Sequence, residues 1–157
     1  MITCQFEDGG KAKLRHVTTA AIVKNNKDEV LLVRRAPGQL NENKFTLPGG
    51  FLNRDEDSRE GAIREMFEET GLEGKISYLF HIVDTPNRPK EDRQNVEFRY
   101  VVEVVGGEEK LSSETTEIKW VSEKTLPPDE EFAFDHRKTI IKYFDHLREP
   151  ITLPVFN

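Results

Sequence analysis

The chain has 157 residues, 36% of them hydrophobic and 33% charged, with ten phenylalanines and a net charge of −6. That length suits one domain spanning 1–157 with a real core, and the aromatic content excludes a disordered chain. An acidic balance argues against binding to duplex nucleic acid, which calls for a basic face.

Residues 1–10 hold no apolar run of the kind a signal peptide needs, and no stretch approaches the ~20 apolar residues of a membrane span. A cytoplasmic protein without membrane attachment is the expectation. The single cysteine, Cys4, excludes an internal disulfide, and no CxxC pair suggests a zinc ribbon. His16, His81, His136 and His146 show no ligand spacing and read as surface or core residues.

The first predicted strand is Val17–Val23, short, apolar and β-branched. The polar run Asn25-Asn26-Lys27-Asp28 is a turn into a second strand, Val30–Val33, which ends in Arg34-Arg35, so the two read as a hairpin. Pro37-Gly38 breaks the chain, and Phe45–Leu47 is a brief strand before Pro48-Gly49-Gly50. Asp57 and Glu60 form a capping box for a helix over Ser58–Thr70, with Gly71 in the left-handed position that ends it. Strand alternation follows at Ile76, Tyr78, Phe80 and Ile82, again from Val96 to Val104 after the loop 85–94, and at Ile118 and Trp120. A last helix near His136–Leu147 puts Ile140, Ile141, Phe144 and Leu147 on one face. The apolar tail Ile151–Phe156 is expected to dock on its own domain or on a neighbour. Strands, helix, strands, helix make the class α/β or α+β around a mixed sheet.

The helix at 58–70 poses the main question. Glu65, Glu68 and Glu69 fall on one face together with Gly61, while Ile63, Met66, Phe67 and Thr70 fall on the side that can pack on a sheet. Glu60–Arg64 and Arg64–Glu68 are i,i+4 ion pairs, but Glu65 and Glu69 repel at the same spacing. All three glutamates also sit near the negative end of the helix dipole, at a cost of roughly 0.3–1 kcal/mol per charge. A hard divalent cation reverses the sign of each of these terms. Carboxylates at i, i+3 and i+4 converge on such an ion, and a set without Cys or His disfavours zinc and copper. Gly61 on that face leaves room for a ligand, and the Gly49-Gly50 loop lets a backbone carbonyl approach.

Residues 50–72, GFLNRDEDSREGAIREMFEETGL, resemble the Nudix box, G-x5-E-x7-R-E-U-x-E-E-x-G-U with U a bulky aliphatic residue. Gly50, Glu56, Arg64-Glu65-Met66, Glu68-Glu69 and Gly71-Leu72 fill every fixed position. The flanking "LLVRR", "LPGG" and "EIKWV" are similar to the family as well. The resemblance implies the Nudix fold, an α/β/α sandwich around a mixed β-sheet. It implies hydrolysis of a diphosphate linkage in a nucleoside diphosphate joined to another group, with Mg²⁺ or Mn²⁺. It implies that Glu65, Glu68 and Glu69 bind metal with the Gly50 carbonyl, that Arg64 orients a glutamate, and that Glu56 is a secondary carboxylate. Glu65, or a glutamate from a distant loop such as Glu114, would take the proton from water. Phe45 stands where many relatives carry a tryptophan that touches substrate stacking.

The substrate is less sharply written. Arg34 and Arg35 leave a strand on alternate faces, so one can clamp a phosphate. Arg88, Lys90 and Arg93 lie in the loop 85–94, which could cover a diphosphate. Pro86 and the "AFDH" at 133–136 look like the ADP-ribose branch. The reading is therefore an ADP-ribose-type nucleotide hydrolase. A nucleoside triphosphate pyrophosphohydrolase is the alternative, and a non-catalytic Nudix binding module the alternative of another class. The apolar tail and family habit suggest a homodimer.

Overall fold

The structure is a computed structural model, and residues 2–88 and 94–157 are described. Lys90 and Arg93, two of the cationic loop residues singled out above, lie outside the described residues. A short antiparallel pair, β1 (Ile2–Gln5) and β2 (Lys11–Leu14), opens the chain. The alternation in Ile-Thr-Cys-Gln and Lys-Ala-Lys-Leu is only four residues long, and β2 stays largely exposed, so the pair stands apart from the main sheet.

The remaining strands form one mixed sheet. They are β3 (Val17–Lys24), β4 (Val30–Arg35), β5 (Phe45–Thr46), β6 (Gly49–Phe51), β7 (Leu72–Val83), β8 (Val96–Gly107), β9 (Thr115–Val121) and β10 (Val155–Phe156). The order is β10-β7-β8-β3-β4-β5, with β6 also on β3 and β9 also on β4. β3 and β4 do form a hairpin, with Asn25 Oδ1 accepting from the Lys27 and Glu29 amides in its turn. The long partner of β3 is β8, in parallel from Val17↔Val96 to Lys24↔Glu103. The strand expected at 45–47 stops at Thr46, and after Pro48, which has no amide to donate to a ladder, the Gly49-Gly50 stretch expected as a loop is itself a strand on β3.

Helix α1 (Ser58–Thr70) begins at an Asp57–Glu60 capping box, and Gly71 ends it at φ 73° with its amide on the Phe67 carbonyl. Helix α2 (His136–Arg148) lies on the opposite face of the sheet. Alternation along the central strands divides the core accordingly. Ile22, Leu32 and Val101 pack with Ile140, Tyr143 and Phe144 of α2. Val23, Leu31 and Val102 pack with Ala62 and Met66 of α1. The result is helix, sheet, helix.

Two details of α1 differ from the sequence expectation. Phe67 is 52% exposed, and Ala62 takes the buried place beside Met66. Gly61 does not make room for a ligand: a Cβ there would lie 2.9 Å from Leu52 Cδ1 and 3.1 Å from Thr19 Cγ2, so it lets the helix close onto β3. The tail docks within the chain. Val155 and Phe156 add a parallel strand to β7 at His81 and Ile82, while the side chains of Ile151 and Phe156 stay exposed.

Candidate active site

A cleft of about 280 Å³ opens where β3, β6 and β8 begin or end between the two helices. Gly49 and Gly50 of β6, Glu65, Glu68 and Glu69 of α1, and Glu114 from the segment before β9 line one part of it. Thr18, Arg88, Glu97, Phe134 and His136 line the rest, and Arg35 belongs to the same lining.

Arg64 organises the carboxylate side. Its Nε donates to Glu56 Oε2 at 2.9 Å and its Nη2 to Glu56 Oε1 at 2.5 Å. Its Nη1 donates to Glu65 Oε1 at 2.8 Å and to Glu68 Oε2 at 3.0 Å, and Nη2 also reaches the Phe51 carbonyl at 3.1 Å. One guanidinium thus holds three acidic side chains and the end of β6, a use that needs the planar fork of arginine. Glu60 is not among these partners, because its carboxylate accepts from the Asp57 amide in the capping box. The Arg64 hydrogen bond holds Glu56 below the usual carboxylate range. Glu56 also accepts from the Asn53 amide at 2.7 Å and so fixes the loop into α1.

Glu69 is the unusual member. It is 7% exposed, and one amide, that of Gly49 at 3.1 Å, donates to its Oε2. Burial first, and then the neighbouring Glu65 and Glu114, push its carboxyl up to about 8, although Arg35 acts against them. Burial also raises Glu65, helped by Glu68 and Glu114 and opposed by Arg64. Acidic groups this poorly compensated are what a divalent cation would relieve. The donor set is oxygen only, which suits a hard ion. Gly50 completes the cradle: a Cβ there would lie 2.5 Å from Glu65 Oε1, so any larger residue would push that carboxylate from the place where Arg64 holds it.

A second acidic cluster sits deeper. Among the described residues, ligand atoms of Glu97, Asp135 and His136 lie within 4.8 Å of one another. This group already has its cations. Arg88 Nη2 donates to Glu97 at 2.8 Å and to Asp135 at 2.9 Å, and Arg99 donates to both as well. Burial alone would raise Glu97 and Asp135, but Arg99 and Arg88 outweigh it and hold both carboxyls down. Two guanidiniums already neutralise this cluster and make it a structural ion network, whereas the buried Glu69 of α1 has no such pairing among the described residues.

The other predicted site residues divide plainly. Arg35 and Glu114 reach the cleft, and Gln39 Nε2 donates to the Glu114 carboxylate at 2.9 Å. Arg88 reaches it too, with its charge engaged by Glu97 and Asp135. Arg34 is not brought there. It donates to Glu117 at 2.6 Å and to the Asn43 carbonyl, with its guanidinium 3.8 Å from the Phe45 ring centroid. Phe45 is fully buried against Phe132 and has no face left for a substrate. The aromatic side chains that line the cleft are Phe51 and Phe134.

Sequence reasoning missed Thr18 and Glu97 and reached His136 only as the end of "AFDH", and the parallel β3–β8 pairing and the start of α2 bring the three together. It also missed Arg15, whose guanidinium donates to the carbonyls of Asp84, Gln94 and Asn95 and so ties the two ends of the loop that carries Arg88.

The NUDIX domain family model matches residues 14–143. This chain is a Nudix hydrolase. An ADP-ribose pyrophosphatase of Methanocaldococcus jannaschii is 34% identical over 122 residues, 78% of this chain and 68% of that protein. The Nudix fold recurs in an ADP-ribose pyrophosphatase structure from Streptococcus suis, with a TM-score of 0.73, 23% identity, and coverage of 92% of this chain and 100% of that one. It recurs also in a bifunctional NMN adenylyltransferase/ADP-ribose pyrophosphatase of Francisella tularensis, complexed with AMP and manganese. There the TM-score is 0.66 at 25% identity, covering 89% of this chain and 43% of that one. Nudix hydrolases depend on divalent metals, in keeping with the donor set of α1. No helix among the described residues of this Nudix chain is long and apolar enough to cross a membrane.

Proposed function

We propose that the chain hydrolyses the diphosphate bond of ADP-ribose or a similar nucleoside diphosphate sugar, with Mg²⁺ or Mn²⁺. The observation that carries this reading is the buried, electrostatically unrelieved Glu69 beside Glu65, Glu68 and the Gly50 backbone in a cleft that also holds Arg35. The M. jannaschii relative supports the choice of substrate class.

Glu65, Glu68, Glu69 and the Gly50 carbonyl would hold the metal, which supplies charge neutralisation for the diphosphate and a more acidic water. Arg64 keeps Glu65 and Glu68 aimed at the cleft. Arg35 receives a phosphate oxygen, and Arg88 holds the polar floor of the cleft through Glu97 and Asp135. Water attacks one phosphorus, the bridging P–O bond breaks, and the leaving phosphate carries away the electron pair. The water's proton passes to Glu65 or Glu114, both carboxylates of the cleft lining.

Nucleoside diphosphate sugars and nucleoside triphosphates are incubated with the protein and Mg²⁺, and products are identified by mass. ADP-ribose should give AMP and ribose 5-phosphate with one oxygen from solvent. Glu68→Gln should lose activity by about 10²-fold or more while keeping its fold. In the same assay, Glu114→Gln losing less than about tenfold would assign the proton to Glu65. Preferential release of pyrophosphate from triphosphates would overturn the substrate reading.

A further inference from the structure

Six threonines are buried among the described residues, and five of them use their hydroxyls within the protein. Thr19 donates to the Ser58 carbonyl, Thr70 to that of Met66 and Thr115 to that of Glu69. Thr46 meets His136 Nδ1 at 2.7 Å, and Thr139 meets His81 Nδ1 at 2.9 Å. Thr18 is the exception. It is 6% exposed, it lines the cleft, and its Oγ1 has no hydrogen-bond partner among the described residues. A valine would fill the same volume on a central strand without burying an unpaired hydroxyl. The hydroxyl is therefore unexplained by the fold.

Its surroundings say what it could meet. Register sets Thr18 opposite Phe51 on β6 and beside Glu97 on β8, and all three side chains line the cleft. Phe51 is 44% exposed. Phe134 lines the same cleft at φ +53°, in the left-handed region that a bulky residue seldom occupies. Its neighbours explain how the conformation is held: the Ala133 amide is bonded to the Phe45 carbonyl, and the Asp135 carboxylate to Arg88. Backbone strain kept in place from both sides is characteristic of ligand-facing positions. The Arg35 guanidinium lies 5.5 Å from the Phe134 ring centroid and lines the same cleft as Glu69. One arginine thus adjoins both the carboxylate end of the cleft and its aromatic wall.

We propose that Thr18 is a specificity-determining residue whose hydroxyl bonds the polar edge of the substrate's nucleobase, with Phe51 and Phe134 offering the apolar surfaces that its ring faces require. The assignment rests on the nucleoside diphosphate reading above. A sugar would supply hydroxyls for Thr18, but it has no flat apolar face for two aromatic side chains.

The two products of ADP-ribose cleavage separate these parts, and neither is turned over. Calorimetry in Mg²⁺ should find that the wild type binds AMP more tightly than ribose 5-phosphate. Thr18→Val should weaken AMP about five- to tenfold, the worth of one hydrogen bond, and leave ribose 5-phosphate within about twofold. Its melting temperature should equal or exceed that of the wild type, because the valine buries no orphan hydroxyl. Thr18→Ser should restore AMP binding. Equal weakening of both ligands would assign the hydroxyl to the ribose phosphate and overturn the proposal. So would unchanged AMP affinity in Thr18→Val, a wild type that binds AMP no more tightly than ribose 5-phosphate, or loss of AMP binding that serine does not rescue. Failure to hydrolyse ADP-ribose would be a separate result, leaving the contrast between AMP and ribose 5-phosphate to decide the role of Thr18.

Discussion

Arg64 carries more of the site than its place in the sequence suggests. Spacing along a helix points it at Glu60 and Glu68, yet it reaches Glu56, Glu65, Glu68 and the Phe51 carbonyl. The partner that helical spacing cannot reveal is Glu56, eight residues back and outside the helix. Lysine has a single ammonium and cannot span this set. Arg64→Lys should therefore lower kcat by about 10²-fold through misplaced carboxylates. Arg64→Ala should cost about 1–3 kcal/mol of stability, because it leaves half-buried carboxylates facing one another. The loss in Arg64→Ala should shrink when Mg²⁺ is added, since the cation takes over part of the neutralisation. Thermal melts with and without Mg²⁺ measure this, and an equal loss in both would mean that Arg64 acts on the loop before α1 and not on the acidic cluster.

At the scale of an element, α1 was the most legible part of the chain. Its start is fixed by Asp57 and Glu60 and its end by Gly71, and the carboxylates proposed for the metal, Glu65, Glu68 and Glu69, stand in the same stretch, so every signal is local. The wall opposite was illegible for the opposite reason. Thr18, Glu97 and His136 are far apart in sequence and meet through strand register, which no spacing rule contains. Phe45 looked like a substrate aromatic by its position before the box, but Phe132 and Arg34 cover it. Phe134 lines the cleft instead because of a backbone conformation that its residue type disfavours. The strength and the weakness of α1 are one property, a helix that ends in negative charge awaiting a cation. Glu69→Gln tests it. A neutral amide of nearly the same shape should leave the metal-free melting temperature unchanged or higher, since burial already disfavours the ionised carboxyl. It should also abolish most of the upward shift that Mg²⁺ or Mn²⁺ gives the wild type. A full metal-induced shift in the variant would remove Glu69 from the metal site.

Across the whole molecule, the sheet passes the organisation of the cleft to its far edge. Glu97 on β8 is held by Arg99, Arg99 reaches Asp135 and Thr139 at the start of α2, and Thr139 meets His81 on β7, where the tail strand β10 docks. The network places charge in the interior, where each carboxylate has a guanidinium, but it leaves His81 with no carboxylate hydrogen-bonded to it among the described residues. Burial, followed by Arg99 and Lys142, lowers His81 from 6.5 to about 4, and burial and Arg99 lower His136 as well. Between pH 6.5 and about 4, His81 is neutral in the fold and protonated in the unfolded chain, and the lowered His136 acts in the same direction. The unfolded state then binds more protons, so stability is complete above pH 6.5 and declines as the pH falls toward 4. His81 alone accounts for roughly 2 kcal/mol of that decline by pH 5. Glu97 and Asp135, held low by the arginines, add a further loss only in stronger acid. Urea unfolding at pH 7, 6 and 5 should show the first decline in the wild type, and His81→Gln should flatten it by about 2 kcal/mol at pH 5 without removing the share that belongs to His136. An identical slope in the variant would mean that His81 is protonated within the fold, and the network would then be anchored at β7 by a charge and not by a neutral ring.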